Sequence, residues 1–414
     1  MRAMLLVGAL ILSIFPGRAA AATAPVLDRN GFIVDGIFLE FVQAHGGIER
    51  FGEPLSDRLT DKELGIPVQY FTNARLELHG TVVLPTRLGS ILAAGREHEP
   101  PFSWLPADTI PAPGYVYVAA SGHTLGGAFG WYHQHNGGTA LLGHPISQEF
   151  VEITAAGEAL LVQYFERTIL SYREDEVRQA PLGSWLAERA LTPAERMPGP
   201  ALTALATVSI HYPPHTNDGH NIELAAATLD GVMIEPGGTF SFLGAIGPIT
   251  AEAGYKPGTA IVGGEVVNNV VGGGICSVST LLYRAAWMAG LPIVERQAHR
   301  YRLSAYDDLP GMDAAIYLPG LDLRIANNSE HRLYLSTHVT GGRASLTIWG
   351  RNDGRTVAVD PPVERNGGLE IHNVRRITAA DGSVRRERTI TSYETPPIPP
   401  EDADDGRQEP QARS

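Results

Sequence analysis

The sequence predicts an α+β fold: a C-terminal mixed domain with a buried helix against an antiparallel sheet, preceded by two small α/β repeats. Three observations predict it. The N-terminal half is internally duplicated. Residues 281–290 are apolar on nearly every side, interrupted only by Arg284, as in a helix inside a domain. The segments after that run alternate like strands and are punctuated by turn residues.

The chain opens with a secretory signal pattern over residues 1–24. Arg2 is followed by an apolar stretch at 4–15, the Pro16-Gly17 break and small residues at 19–24. The stretch is too short to span a membrane, and no other segment reaches spanning length. A secreted or cell-envelope (extracytoplasmic) protein is expected, without a membrane span after signal removal. The net charge is −13 and lysines are few. Phosphate recognition needs clustered Lys and Arg, so nucleic acid is not an expected partner.

Repeat 1 occupies 28–96 and repeat 2 occupies 115–191. Gly46-Gly47-Ile48-Glu49-Arg50-Phe51-Gly52-Glu53-Pro54 recurs as Gly137-Gly138-Thr139-Ala140-Leu141-Leu142-Gly143-His144-Pro145. Val68-Gln69-Tyr70-Phe71 recurs as Val162-Gln163-Tyr164-Phe165, and Leu88-Gly89 as Leu182-Gly183. Each copy is expected to open with a short helix (38–45 and 129–136), then turn through Gly-Gly and Gly-x-Pro into the Val-Gln-Tyr-Phe strand. The Gln-Tyr-Phe blocks either present a polar group and a ring to a ligand or fill each small core; ordinary aromatic burial favours the core. Proline-rich stretches at 97–114 and 192–206 read as linkers.

The mixed domain is placed at 207–350. Asn221 is expected to cap a helix over 222–230, and Gly290 with Pro292 to end the apolar helix. Residues 293–306 and 312–318 alternate as two strands. An accessory β-hairpin region follows at 351–395, turning at Asp381-Gly382. The acidic, proline-rich tail at 396–414 cannot bury a core and reads as disordered.

The only cysteine, Cys276, sits in Gly272-Gly273-Gly274-Ile275-Cys276-Ser277-Val278-Ser279-Thr280, at the start of the apolar helix. One cysteine cannot pair within the chain, so it is a core thiol, an intermolecular link or a reactive thiol. Unpaired N–H groups at a helix start favour a thiolate. A nucleophilic thiol needs a base, and the base needs a group to hold its tautomer. His299 and Asp313 follow in the order transglutaminase-like and papain-like enzymes use. The candidate catalytic set is therefore Cys276, His299 and Asp313. Backbone near Gly273, Gly274 and Ser277 is the candidate oxyanion site, with Tyr255 and Glu265 as candidate cleft residues. A hydrogen-bonded strand histidine and a turn carboxylate are the plainer readings of His299 and Asp313. No cofactor or resident metal is assigned; a zinc on Cys276, His299 and Asp313 is the mechanistic rival. His211, His215 and His220 show no ordered ligand set.

Two resemblances add to this reading. Phe51-Gly52-Glu53-Pro54 and Leu142-Gly143-His144-Pro145, each followed by a Gln-Tyr-Phe strand, resemble the LGFP-type repeats of exported bacterial cell-wall proteins, which implies envelope association. Residues 221–350 resemble the VanW family, named after a protein of glycopeptide-resistance clusters. The matching blocks are Pro236-Gly237-Gly238-Thr239-Phe240-Ser241-Phe242, Gly254-Tyr255-Lys256, the glycine–cysteine segment through Tyr283, Ala289-Gly290-Leu291-Pro292-Ile293-Val294-Glu295-Arg296, His299, Gly311-Met312-Asp313-Ala314 and Leu323-Arg324-Ile325-Ala326-Asn327-Asn328. The family usually has Gln where this chain has Ser277, and Ser where it has Arg300. The resemblance implies a bacterial envelope role linked to vancomycin resistance. A cysteine hydrolase or acyl transferase acting on cell-wall peptide is one expectation; a non-catalytic binder of wall peptide or glycan is the other.

Overall fold

The computed structural model describes residues 26–154, 157–262 and 265–395, without the side chains of 261–266. The signal pattern and the acidic tail lie outside the described residues. The described residues divide into two compact units, 26–203 and 204–395. Among the described residues no helix is long and apolar enough to cross a membrane.

The first unit holds both copies of the duplication, element for element. A hairpin (Val26–Arg29 with Phe32–Asp35) leads to helices Gly36–Ala44 and Gly47–Phe51, a four-stranded antiparallel sheet and the helix Leu88–Ala93. The second copy repeats this: Tyr115–Val118 with His123–Gly126, helices Gly127–His135 and Gly138–Leu141, four strands and the helix Leu182–Ala190. Between helices the chain turns at Gly46 and Gly137, whose φ of 100° and 89° is left-handed and favours glycine.

The closing helices are exchanged. Leu88 and Ala93 of the first copy pack with Val162, Tyr164 and Ile169 of the second. Ala187 and Leu191 of the second pack with Val68 and Tyr70 of the first. The seats are hydrogen-bonded in parallel fashion: Ser90 N–H donates to Glu166 O (3.0 Å) and Ser184 N–H to Thr72 O (3.0 Å). Gly89 and Gly183 lie so close to the carbonyl oxygens of Phe165 and Phe71 that a Cβ at either would overlap them. The stretch expected as a linker at 97–114 contributes buried Phe102, over which Arg96 lies at 4.5 Å. Gln69 and Gln163 are buried and clamp neighbouring backbone. Gln69 Nε2 donates to Ile33 O and Ser56 O, and Gln163 Nε2 to Thr124 O and Ser147 O. The repeated Gln-Tyr-Phe is therefore architecture.

The second unit is the predicted α+β arrangement. Helices Asn217–Leu229 and Cys276–Met288 pack on a sheet ordered Leu202–His211, Arg343–Arg351, Leu333–Thr340, Met233–Ile234. Val278, Leu281, Leu282, Ala285 and Ala286 are at most 1% exposed; burying each leucine is worth about 2 kcal/mol. Asn221 departs from its expected role. Thr216 caps the helix by accepting from Gly219 N–H (3.0 Å), while Asn221 lies inside it, fully buried. The strand expected over 293–306 is confined to Ile293–Glu295, which pairs with Arg324–Ala326. Beyond it the chain is irregular, with bridges at Gln297–Ala315 and Tyr301–Glu394. The C-terminal strands Thr356–Val359, Val363–Arg365, Glu370–Thr378 and Val384–Ser392 form one antiparallel sheet. That sheet is fastened to the cysteine helix. Buried Arg375 donates to Trp287 O in the last helical turn and to Leu291 O just beyond it (2.7 Å each).

Candidate functional site

One side of the cysteine helix builds the site. Residues three and four apart share a helix face, and Cys276, Ser279, Thr280 and Arg284 do so. Ser279 Oγ donates to Ala314 O (2.6 Å), and Thr280 Oγ1 accepts from Ala314 N–H (3.0 Å). Arg284, 1% exposed, donates to Met312 O (2.9 Å), Tyr306 O (3.0 Å) and Asp308 Oδ2 (2.9 Å). A helix that looked interrupted by one charge thus uses that charge to hold the segment 306–314. Ala315 N–H then donates to Gln297 O (2.8 Å), which sets Asp313 beside His299.

Asp313 is 2% exposed and accepts from His299 Nδ1 (2.6 Å), His299 N–H (2.7 Å) and Tyr393 OH (2.6 Å). Arg296 adds an ion pair at 3.4 Å and donates to Asp313 O and Gly311 O. Burial disfavours the carboxylate, but the hydrogen bonds from His299 and Tyr393 outweigh it, and the carboxyl is pulled down to about 2. His299 is 8% exposed. Burial opposes its charge too, yet its hydrogen bond to Asp313 and the nearby Cys276 side chain raise it to about 9. The ring stacks on Tyr306 (5.4 Å between centroids, 27°). With Nδ1 committed to Asp313, Nε2 is the nitrogen left for the thiol. His299 and Asp313 are therefore in direct contact, while the printed contact of the thiol is with Ile316 O, 3.9 Å from Cys276 Sγ. Among the described residues no group of three His, Cys, Asp or Glu is placed to share a metal.

Cys276 is the first residue of its helix and partly exposed. The N–H groups of Ile275 and Ser277 are spent on Gly272 O and Gly274 O; those of Gly274 and Cys276 donate to no described residue. Ser277 Oγ lies 3.3 Å from Tyr306 OH. The glycine triplet admits the chain itself. A Cβ on Gly273 would overlap the Gly258–Thr259 backbone, and one on Gly274, at φ 91°, would press on Asp218. Asn221 pins this loop, donating to Gly273 O (2.9 Å) and Lys256 O (2.8 Å) and accepting from Lys256 N–H (2.8 Å).

The remaining candidates fall elsewhere. Tyr255 is 3% exposed and packs in the main core, its hydroxyl pushed up by burial. Glu265 starts the strand Glu265–Val271, and its side chain lies outside the described residues. His220 Nε2 is 3.0 Å from Gly254 O. Sequence reasoning missed Tyr393, Arg296 and Tyr306. Tyr393 carries no local signal, because it reaches Asp313 from the far end of the C-terminal sheet, 80 residues away.

Residues 217–349 match the family model described as VanW like protein. An uncharacterized protein of Bacillus subtilis (strain 168), YoaR, is 37% identical over 130 residues, 31% of this chain and 42% of YoaR. The vancomycin B-type resistance protein VanW of Enterococcus faecalis (strain ATCC 700802 / V583) is 32% identical over 117 residues, 28% of this chain and 42% of VanW. The chain thus spans less than half the length of either relative. No solved structure matches it significantly. The segment that carries Cys276, His299 and Asp313 is thus the one similar to the VanW-like family model and to both relatives.

Proposed function

We propose that the chain is an exported cell-envelope protein whose VanW-like domain is a cysteine-dependent hydrolase or acyl transferase for amide bonds of cell-wall peptide. The supporting observation is His299, held by Asp313 at 2.6 Å on Nδ1 and raised further by the nearby Cys276 side chain. A histidine raised to about 9 is an imidazolium at neutral pH, and an imidazolium favours thiolate in an adjacent cysteine. The Cys276 thiolate attacks the carbonyl carbon. The N–H groups of Cys276 and Gly274, which donate to no described residue, would stabilise the oxyanion. The C–N bond breaks as His299 gives its proton to the departing amine, leaving an acyl thioester. Neutral His299 then takes a proton from water, or from an acceptor amine, as that nucleophile releases the acyl group. Asp313 stays ionised and orients the ring. The N-terminal unit, through its LGFP-like blocks, would hold the protein at the wall.

The test is incubation of the full chain with purified peptidoglycan, read by mass spectrometry of released peptides and of the intact protein. Wild type should release peptide and accumulate a covalent adduct on Cys276, with both lost in Cys276→Ser. Tight binding without release or adduct would overturn the enzyme reading in favour of a wall-binding protein.

A further inference from the structure

The two copies of the duplication share a scaffold but differ where the first helix faces the third hairpin strand. In the second copy a cavity of about 480 Å³ lies between the helix Gly127–His135 and the hairpin Ile169–Gln179, lined by Trp131, Tyr132, Asn136, Tyr172, Asp175 and Glu176. Trp131 is 62% exposed. One face of its indole is stacked on His135 (4.4 Å between centroids, 21°). That imidazole is fixed by its Nδ1 contact to Trp131 O (2.8 Å). The indole is therefore a braced flat platform with one free face. Tyr172 OH donates to Asp175 Oδ1 (3.1 Å), and Asn136 Nδ2 donates to Tyr132 O (2.9 Å), so the polar rim is held in place.

In register, the first copy has Glu40 where the second has Trp131, Leu78 for Tyr172 and Val82 for Glu176. Its turn is Gly80-Thr81, with Gly80 at φ 64°. The second copy places Glu174 and Asp175 in left-handed backbone (φ 51° and 64°). A non-glycine residue there costs on the order of 1 kcal/mol, and such cost is tolerated where a side chain must be presented. Neither the seats of the exchanged helices nor the Gln163 clamp uses these side chains.

We propose that this cavity is a carbohydrate subsite that seats one pyranose ring of a neutral glycan on the free face of Trp131. A pyranose offers a patch of C–H groups to an aromatic face and hydroxyl donors around its rim, which suits an indole edged by Asp175, Glu176 and Asn136. Glu176 is paired with Arg178 (3.0 Å) and Arg50 donates to Asn136 Oδ1 (3.3 Å), so charges on the rim are balanced, as suits a neutral ligand. A cage for an organic cation needs aromatic faces converging from several sides, whereas here one face of Trp131 is closed by His135. The site lies in the first unit and does not rest on the assignment of Cys276.

The test uses the full chain and four soluble probes: the hexasaccharides of cellulose, chitin, xylan and mannan, with choline and lysine as cation controls, titrated by calorimetry and tryptophan fluorescence. At least one hexasaccharide should bind, with at least a tenfold loss in Trp131→Ala, a smaller loss in Trp131→Phe and a several-fold loss in Asp175→Asn. Circular dichroism and thermal melting of each variant should match wild type, because Trp131 is largely exposed. No binding of any hexasaccharide, binding unchanged in Trp131→Ala, or preferential binding of choline or lysine would each overturn the proposal.

Discussion

Asp313→Asn is the most informative single change. It keeps the volume but replaces a carboxylate that accepts from His299 Nδ1, His299 N–H and Tyr393 OH with an amide having one acceptor oxygen and an NH₂ that faces donors. Raising His299 from 6.5 to about 9 corresponds to about 3 kcal/mol of preference for the imidazolium, shared between Asp313 and Cys276. Without the carboxylate, burial acts with less opposition and the ring becomes neutral near pH 7. The assay is iodoacetamide alkylation against pH. It reports one site without background, because Cys276 is the only cysteine. At pH 6 to 7 the rate should fall at least about tenfold in Asp313→Asn, since the imidazolium beside the thiol is lost. Stability should follow with a definite sign. The contribution of His299 is complete below its ordinary 6.5 and is lost as pH rises through about 9. That of Asp313 is complete above its ordinary 3.8 and is lost as pH falls toward 2. The gap in urea-unfolding free energy between wild type and variant should be widest between about pH 4 and 6.5 and narrow on either side. Equal alkylation rates from pH 5 to 9 in a folded variant would refute the coupling.

Two further outcomes are expected. Gly89→Ala and Gly183→Ala should each destabilise the first unit by about 2 kcal/mol or more, and by similar amounts, because each puts a methyl into a carbonyl oxygen of the opposite copy; calorimetry with matched thermal shifts checks this. Asn221→Ala should cost about 2 kcal/mol by leaving Lys256 N–H, Lys256 O and Gly273 O without their buried partner. It should also alter Cys276 alkylation, whereas Asn221→Ala without effect on either readout would show that the glycine loop holds its shape unaided.

The fold class and the duplication were legible because they rest on periodicity and repeated turn residues, which are local. The helix from Cys276 was legible for the same reason, through its apolar run and the Gly290–Pro292 stop. The strand expected over 293–306 failed for a physical cause. His299 N–H donates to the Asp313 carboxylate and Ala314 N–H to Thr280 Oγ1, so side chains take the bonds a neighbouring strand would have taken. Alternation records which residues are buried, and it cannot tell a ladder from an irregular segment satisfied by side chains. The reason for the glycines lies in distant residues: Gly272 closes on Ile249, Gly273 on Gly258 and Thr259, and Gly274 on Asp218. Asn221 had the residue type of a cap and serves instead as a buried clamp. Tyr393 and Arg375 enter from the C-terminal sheet, beyond the matched family segment, and only tertiary structure brings them to the cysteine helix.

The exchange of closing helices in the first unit sets a minimum size for this architecture. Each copy contains the helix that completes the other and lacks the one that completes itself. A single copy would leave Val68 and Tyr70, or Val162 and Tyr164, without cover, and could regain it only by trading helices with a second chain in a closed twofold. Joining the two copies in one polypeptide makes that trade intramolecular, so assembly no longer depends on protein concentration. It also frees the copies from identity: once the seats are kept, the surfaces away from them can diverge, as Trp131 and Glu40 have done.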